Sequence, residues 1–184
     1  MKNITQIFRR ITLGLMLAVI PLVDGCSDNN IIIWTEDVKL LDGRVITVTQ
    51  KRRIDMKRMP REAWLTFKLP EFGDKEIVWH ENLLTHVLNV YQSKLYVVGL
   101  TTTDVEFHQY GNPQPPYVGF RYNNGHWVRI PFSEIPEAIY DTNMYFDNMA
   151  LYRLKHVSLE QKAEMLKDET YMPPLKKLDP TLRW

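Results

Sequence analysis

The fold class is decided by residues 117–130, YVGFRYNNGHWVRI. Two segments rich in apolar and aromatic residues flank an Asn-Gly pair, and this arrangement is typical of a β-hairpin. A two-residue turn pairs Phe120 with Arg129, whereas a three-residue loop pairs Phe120 with Val128. The second register gathers the apolar side chains on one face and gives Gly125 the left-handed position. We therefore expect the three-residue loop.

The same pattern recurs earlier in the chain. Residues 34–40 and 45–49 flank an Asp-Gly pair at positions 42–43, which predicts a second hairpin. A two-residue turn there sets Leu40 opposite Val45. Further strands are expected in residues 63–69, 76–80 and 83–100, the last as two strands around Gln92-Ser93-Lys94.

A helix is expected near the carboxyl end. Ser158 begins the sequence Ser-Leu-Glu-Gln, which has the spacing of a capping box. Leu159, Ala163 and Leu166 then fall on one helical face, so we expect a helix over about 159–168. Together these patterns predict a mainly β fold, an antiparallel sandwich or small barrel of hairpins with a short C-terminal helix.

The amino terminus has the order of a secretory signal peptide. A positively charged start, residues 1–10, is followed by an apolar run, residues 11–23, and then by Asp24, Gly25 and Cys26. The apolar run is shorter than the ~20 residues needed for a helix to span a bilayer. We therefore expect export of the chain and removal of residues 1–25.

Val23-Asp24-Gly25-Cys26 resembles the lipobox of bacterial lipoproteins. Val23 fits the branched apolar position and Gly25 the small one, while Asp24 stands where the pattern prefers a small neutral residue. The resemblance implies cleavage before Cys26 and lipidation of its thiol. Ser27 follows, and by similarity to the sorting rule of Gram-negative lipoproteins a residue other than Asp implies the outer membrane.

Two alternatives to the lipid anchor stay open, namely a soluble secreted protein and an uncleaved N-terminal anchor. Cys26 is the single cysteine, so an intramolecular disulfide is excluded. The expected organisation is a signal peptide over 1–25, a lipidated tether over 26–31, a β-rich domain over 32–157, and a helix with a tail over 158–184.

Charge argues against nucleic acid as a partner. The whole chain has a net charge of +1. Since the first 25 residues carry Lys2, Arg9 and Arg10 against Asp24, the exported part has about −1, too little for a general basic field. Hydrophobic residues make up 45% and charged residues 24%, as in an ordinary globular domain.

The sequence contains no catalytic or metal motif that we can assign. It lacks Gly-x-Ser-x-Gly and a glycine-rich phosphate loop. His80 and His86 are six residues apart, which does not give the i, i+4 spacing of a zinc metalloprotease. We therefore expect no catalytic residue, no metal and no cofactor. Carboxylates need no local motif, however, and several cluster in the sequence: Glu62, Glu71, Asp74, Glu76 and Glu81.

Residues 51–61 are basic, lack clean periodicity and predict a loop. They make a candidate contact with an anionic partner, such as lipid phosphates, an anionic glycan or an acidic protein; a simple solvated loop is the alternative. The basic residues are Lys51, Arg52, Arg53, Lys57, Arg58 and Arg61. A second candidate surface is aromatic, with cross-strand packing as its alternative: Tyr96, Tyr110, Tyr117, Tyr122 and Trp127.

Several stretches together look like a family of uncharacterised proteobacterial lipoproteins: WTEDVKLLDGRVITV, PREAWLTFKLPEF, YGNPQPPYVGF and IPEAIYDTNM. The resemblance implies an anchor and no particular activity. We expect a non-enzymatic binding or structural module of a bacterial envelope, attached to the membrane through its lipid. The alternatives are an envelope hydrolase that uses carboxylates on cell-wall or lipid material, and a phage- or plasmid-linked exclusion lipoprotein.

Overall fold

The structure is a computed structural model that describes residues 31–54, 60–145, 155–167 and 176–184. The predicted signal peptide, Cys26, and the basic residues Lys57 and Arg58 lie outside these ranges. Within them the chain forms nine strands: β1 Ile31–Lys39, β2 Val45–Ile54, β3 Pro60–Phe67, β4 Ile77–Glu81, β5 Leu84–Tyr91, β6 Lys94–Leu100, β7 Tyr117–Asn123, β8 His126–Ile130 and β9 His156–Val157. The helices are α1 Asp104–Gln109 and α2 Leu159–Leu166.

The strands form two sheets. The first sheet has the order β4-β3-β2-β1-β9 and the second has the order β5-β6-β7-β8. All neighbouring strands are antiparallel except β9, which runs parallel to β1. The prediction of a mainly β antiparallel fold with a short C-terminal helix is confirmed. Of the two alternatives it is sandwich-like, since neither sheet closes into a barrel within the described residues.

The main core lies between the sheets and follows the period-two alternation of the strands. Leu65 and Trp79 of the first sheet are fully buried in it, together with Leu95 and Val97 of the second. An aromatic pair adds to this contact, because the rings of Trp79 and Phe120 meet edge to face with centroids 5.5 Å apart.

The two sheets differ in what covers their outer faces. On the second sheet, Val98 and Tyr117 pack against Ile135, Ile139 and other residues of the chain that follows β8. On the first sheet, by contrast, the outward-facing residues of β1 to β4 are exposed or half-buried. The first sheet therefore offers the open surface of the sandwich.

The β7–β8 hairpin corrects the expected register. Phe120 pairs with Arg129, so the predicted three-residue loop is wrong and the turn has two residues. Asn124 and Gly125 both have positive φ, +49° and +86°, as a type I′ turn requires, and its twist matches that of the strands. Arg129 opposite an apolar residue is tolerated because its guanidinium lies 5.3 Å from the ring centroid of Tyr110.

The β1–β2 hairpin is also shifted by one residue from the prediction. The expected pair of Leu40 and Val45 does not form, because Leu40 donates its backbone N–H to the carbonyl of Arg44 at 2.8 Å. Gly43, with φ +88°, ends a three-residue loop and donates to the carbonyl of Leu40 at 3.0 Å. A left-handed residue at this point is the usual way to close a three-residue hairpin loop.

The expected loop over 51–61 is wrong in the part that the structure describes. Residues 51–54 belong to β2 and residues 60–61 to β3. The predicted C-terminal helix is confirmed over Leu159–Leu166, with a capping box in which Ser158 and Gln161 exchange side-chain and backbone hydrogen bonds. Among the described residues, no helix is long and apolar enough to cross a membrane.

Candidate functional site

Alternation along β2 separates the three consecutive basic residues of the predicted contact surface. Lys51 and Arg53 point outward, whereas Arg52 points inward and is fully buried. Its Nη2 atom donates to the carbonyl of Tyr145 at 3.0 Å, and its guanidinium lies 4.9 Å from the ring centroid of Trp34. Arg52 is therefore not part of the predicted surface, because its guanidinium contacts groups inside the protein.

Of the other predicted site residues, Cys26, Lys57 and Arg58 lie outside the described residues. Arg61 is the second residue of β3, and the structure does not describe its side chain. Lys51 and Arg53 are thus the predicted contact residues whose outward position the structure describes.

Arg52 belongs to a buried polar group that we call the interior cluster, in which every member is at most 8% exposed. Thr85 of the second sheet donates its hydroxyl to Oε1 of Gln50 at 2.9 Å. The Gln50 amide in turn donates to the carboxylate of Glu36. These bonds join the two sheets through polar side chains. The interior cluster consists of Glu36, Gln50, Arg52, Thr85, His86 and Lys162.

Lys162 brings α2 into this cluster. Its ammonium lies 2.9 Å from Oε2 of Glu36 and donates to the backbone carbonyls of Asp37 at 2.5 Å and Asn143 at 2.8 Å. Burial lowers the pKa of Lys162, and the nearby Glu36 charge opposes that shift. The helix is therefore attached to β1 through a buried ion pair with three acceptors around one cation.

Two further pKa shifts describe the same environment. Burial, and then the neighbouring charge of Arg52, lowers the pKa of His86 to about 3, so this histidine is neutral at pH 7. Burial lowers the pKa of Arg52 to about 10, which leaves the guanidinium charged. With little exposed area and these internal contacts, the interior cluster joins the two sheets and offers little surface to a ligand.

The open surface of the first sheet carries a different group, which we call the Trp64 cluster. β-Strand register places Lys51, Trp64 and His80 side by side on β2, β3 and β4. The Lys51 ammonium lies 4.4 Å from the ring centroid of Trp64, and the His80 ring stacks on the indole with centroids 4.4 Å apart. The cluster comprises Lys51, Arg53, Glu62, Trp64 and His80.

Glu62 links Arg53 and His80 within the Trp64 cluster. Its Oε2 accepts from Nε of Arg53 at 2.6 Å, and its Oε1 lies 2.9 Å from Nε2 of His80. Partial burial pushes the pKa of Glu62 upward, but the bonds from Arg53 and His80 outweigh it and lower that pKa. Glu62 is therefore ionised at neutral pH and fixes the neighbouring side chains.

Apolar and hydroxyl side chains extend this surface. Ile33, paired with Lys51 across the sheet, is 60% exposed. The next row of the sheet holds Thr35, Thr49 and Thr66. The surface thus combines a cation, an aromatic edge, an exposed aliphatic group and hydroxyls.

Three carboxylates of the hydrolase alternative, Glu62, Glu71 and Glu81, have separate partners. Glu62 is on the outer face of the first sheet, whereas Glu81 pairs with the inward-facing Ala63 and accepts a bond from the Tyr110 hydroxyl at 2.8 Å. Glu71 accepts from Nη2 of Arg44 at 2.7 Å, away from both. Each of these three carboxylates has its own donor, and no two of them face one cleft in this arrangement.

The histidines are also dispersed. His80 and His86 lie on different sheets, with His80 facing outward and His86 in the interior. In the ranges that the structure describes, no three His, Cys, Asp or Glu side chains are grouped to hold a metal ion.

The aromatic residues of the second predicted surface are mostly packing residues. Tyr96, Tyr110 and Tyr117 are buried, and Tyr122 and Trp127 pack against the main core with ring centroids 5.0 Å apart. The alternative of cross-strand packing is the one that this arrangement matches.

The helix α2 does not bury the apolar face that its sequence predicts. Lys162 is its buried residue, while Ala163 is exposed and Leu159 and Leu166 remain at least partly exposed. These three residues line an apolar cavity of about 330 Å³ beside Met144. The helix is thus fixed by its lysine rather than by the apolar stripe that predicted it.

Sequence reasoning missed Trp64, Glu62 and His80 as members of a surface. The alternation of side chains in residues 62–68 and 76–80 could have shown that Glu62, Trp64 and His80 face outward, because successive residues of a strand point to opposite faces. What the sequence did not supply was the order of strands that brings Lys51 next to Trp64.

Comparison with known proteins adds no relative, since the chain matches no family model, no curated protein and no solved structure. The resemblance to proteobacterial lipoproteins therefore stays a prediction from the quoted motifs.

Proposed function

We propose that this chain is a lipoprotein of a bacterial envelope, anchored through Cys26, and that it acts by binding rather than by catalysis. Its binding surface is the Trp64 cluster, and its partner is an anionic component of the envelope. The observation that carries this proposal is the contrast between the two sheets. The second is covered on its outer face, whereas the first exposes charged and aromatic side chains there.

The lipid anchor rests on the order of residues 1–26 alone. A positive start, a short apolar run and a lipobox-like Val23–Cys26 end at the residue whose thiol would be acylated. Two or more acyl chains give stable attachment, where one chain gives only marginal binding. By the sorting rule, Ser27 favours the outer membrane as the site of attachment.

The binding role draws support from the chemistry of the exposed side chains. Lys51 presents an ammonium on an aromatic ring, and Arg53 keeps a guanidinium at the surface beside Glu62. Cations of this kind recognise phosphate or carboxylate groups on a partner. A glycosidase of the usual kind needs two carboxylates facing one cleft, which Glu62 and Glu81 do not provide from opposite faces of the sheet.

Photo-crosslinking in living cells tests this role. A photoreactive residue is placed at Thr49, which is exposed next to the Trp64 cluster, and at Gln92, an exposed turn residue of the second sheet. We expect crosslinks to an anionic envelope component from Thr49 but not from Gln92. The charge reversal Lys51→Glu should remove them, whereas the matched reversal Lys94→Glu on the second sheet should leave them.

Equal crosslinking from Thr49 and Gln92 would contradict a binding role for the first sheet. Crosslinks from Thr49 that persist in Lys51→Glu would contradict the anionic nature of the partner. The mass of the crosslinked species identifies the partner as lipid, glycan or protein.

A further inference from the structure

The Trp64 cluster lies at the end of the first sheet where the tether enters. β1 begins at Ile31, which pairs with Arg53, and Ile33 pairs with Lys51. Cys26 precedes Ile31 by five residues, and a fully extended chain spans at most about 3.6 Å per residue, or about 18 Å in all. An anchor at Cys26 therefore keeps this end of the sheet within about 18 Å of the membrane.

Cations are exposed at the same end. Lys51 and Arg53 face outward there, with Glu62 beside Arg53, whereas Arg52 is buried and adds no surface charge. Anionic lipids attract basic groups that lie within about a Debye length of their surface, and the attraction is about 1 kcal/mol for each Lys or Arg. A domain tethered at this end therefore turns Lys51 and Arg53 toward an anionic membrane.

One exposed apolar residue lies at this end of the sheet. Ile33 is 60% exposed, and the half-buried Trp64 stands two strands away in the same row, with Lys51 between them. Tryptophan prefers the headgroup level of a bilayer, and lysine extends its ammonium toward phosphate while its methylenes stay in apolar surroundings. A glycan would use the cations and the indole, whereas a bilayer also offers Ile33 an apolar region next to the headgroups.

We infer that the row Ile33–Lys51–Trp64 docks on anionic lipid headgroups of the membrane that holds the anchor, with Trp64 at the headgroup level. This inference rests on the proposed function and names the partner of the same surface. Docking would hold the first sheet against the bilayer and turn the second sheet toward the solvent.

Quenching of tryptophan fluorescence by brominated lipids tests this contact. The full chain is purified from membranes in detergent and reconstituted into phosphatidylethanolamine vesicles that also contain phosphatidylglycerol or, for comparison, phosphatidylcholine. We expect quenching with phosphatidylglycerol, its loss in Trp64→Phe, and its retention in Trp127→Phe, whose indole is on the second sheet. Lys51→Glu and high salt should reduce quenching to the level seen with phosphatidylcholine.

Quenching that is unchanged in Trp64→Phe, or equal in both lipids, would overturn the inference. The inference would also be overturned if Trp64 fluorescence were unchanged by lipid but changed by soluble cell-wall fragments. That result would assign the surface to a glycan. Flotation of the same samples separates the two proposals. Chains that float without Trp64 quenching refute only the docking, whereas chains that fail to float refute the anchor and the proposed function.

Discussion

The ammonium of Lys162 lies 2.9 Å from the carboxylate of Glu36, and both groups are buried where α2 meets β1. This pair explains how a helix of eight residues is held although Leu166 and Ala163 remain exposed. Buried ion pairs contribute less than their Coulomb energy because both ions lose hydration. Loss of one partner, however, leaves the other charge buried and unpaired, which is costly.

Lys162→Met should therefore destabilise the protein by about 3 kcal/mol, because the buried Glu36 loses its ion-pair partner. Urea unfolding followed by circular dichroism measures the change. Lys167→Met is the matched control, since Lys167 pairs with Glu164 at the surface and such pairs contribute less than about 1 kcal/mol. Equal effects of the two substitutions would show that the pair with Glu36 does not hold α2.

Stability should fall on mild acidification because of His86. Its pKa is about 3 in the folded protein and about 6.5 in the unfolded chain. The unfolded state therefore binds a proton below pH 6.5 that the folded state does not. The contribution of the neutral His86 to the free energy of unfolding is therefore complete above pH 6.5 and is lost toward pH 3. Between pH 6.5 and 5 the free energy of unfolding should fall by about 2 kcal/mol. Urea unfolding across this range measures the slope.

His86→Leu provides the comparison for that slope. Without a titrating side chain at position 86, the free energy of unfolding should change less with pH between 6.5 and 5. The difference in slope corresponds to the uptake of about one proton on unfolding. An identical slope in the wild type and in His86→Leu would mean that other groups cause the acid sensitivity.

The indole of Trp127 connects the edges of the two sheets, because its Nε1 donates to the carbonyl of Val78 on β4 at 2.8 Å. Trp127→Phe should cost about 1 kcal/mol through loss of this bond. Trp184→Phe is the matched control, since its indole donates to the carboxylate of Asp104 on α1 and joins no pair of strands. A larger loss from Trp184→Phe would argue against a role of the Trp127 bond in joining the sheets.

Gly119 lets the chain after β8 approach the second sheet closely. A Cβ atom there would come within 2.8 Å of Cγ1 of Ile135 and 2.9 Å of Cγ1 of Ile130. Gly119→Ala should therefore destabilise by about 1–3 kcal/mol. In the double variant with Ile135→Ala the loss should be smaller than the sum of the single losses, which a double-mutant cycle measures. Full additivity would show that Ile135 is not the group that Gly119 accommodates.

Local patterns in the sequence predicted the kind of elements better than their register. The hairpins at Asp42-Gly43 and Asn124-Gly125 both form, yet each has the loop length expected for the other. Burial of apolar residues on one face was a poor guide in the second hairpin, because Arg129 finds Tyr110 to pack against. A contact between residues so far apart in the chain is not visible in a local window.

The candidate site shows the same limit. The run of basic residues around Arg52 predicted a single charged surface, but a strand sends alternate residues to opposite faces, and Arg52 went to the interior. Recognition of residues 51–54 as strand would have separated it from Lys51. The contact between Lys51 and Trp64 could be predicted only from the order of the strands, and that order arises from packing of the whole sheet.

Anchoring through Cys26 underlies both the proposed binding role and the orientation toward the membrane. Mass spectrometry of the amino-terminal peptide, taken from protein isolated with the membrane fraction, tests it most directly. We expect residues 1–25 to be absent and Cys26 to carry a diacylglycerol group and an amide-linked acyl chain. An unmodified Cys26, or a chain that retains residues 1–25, would contradict it.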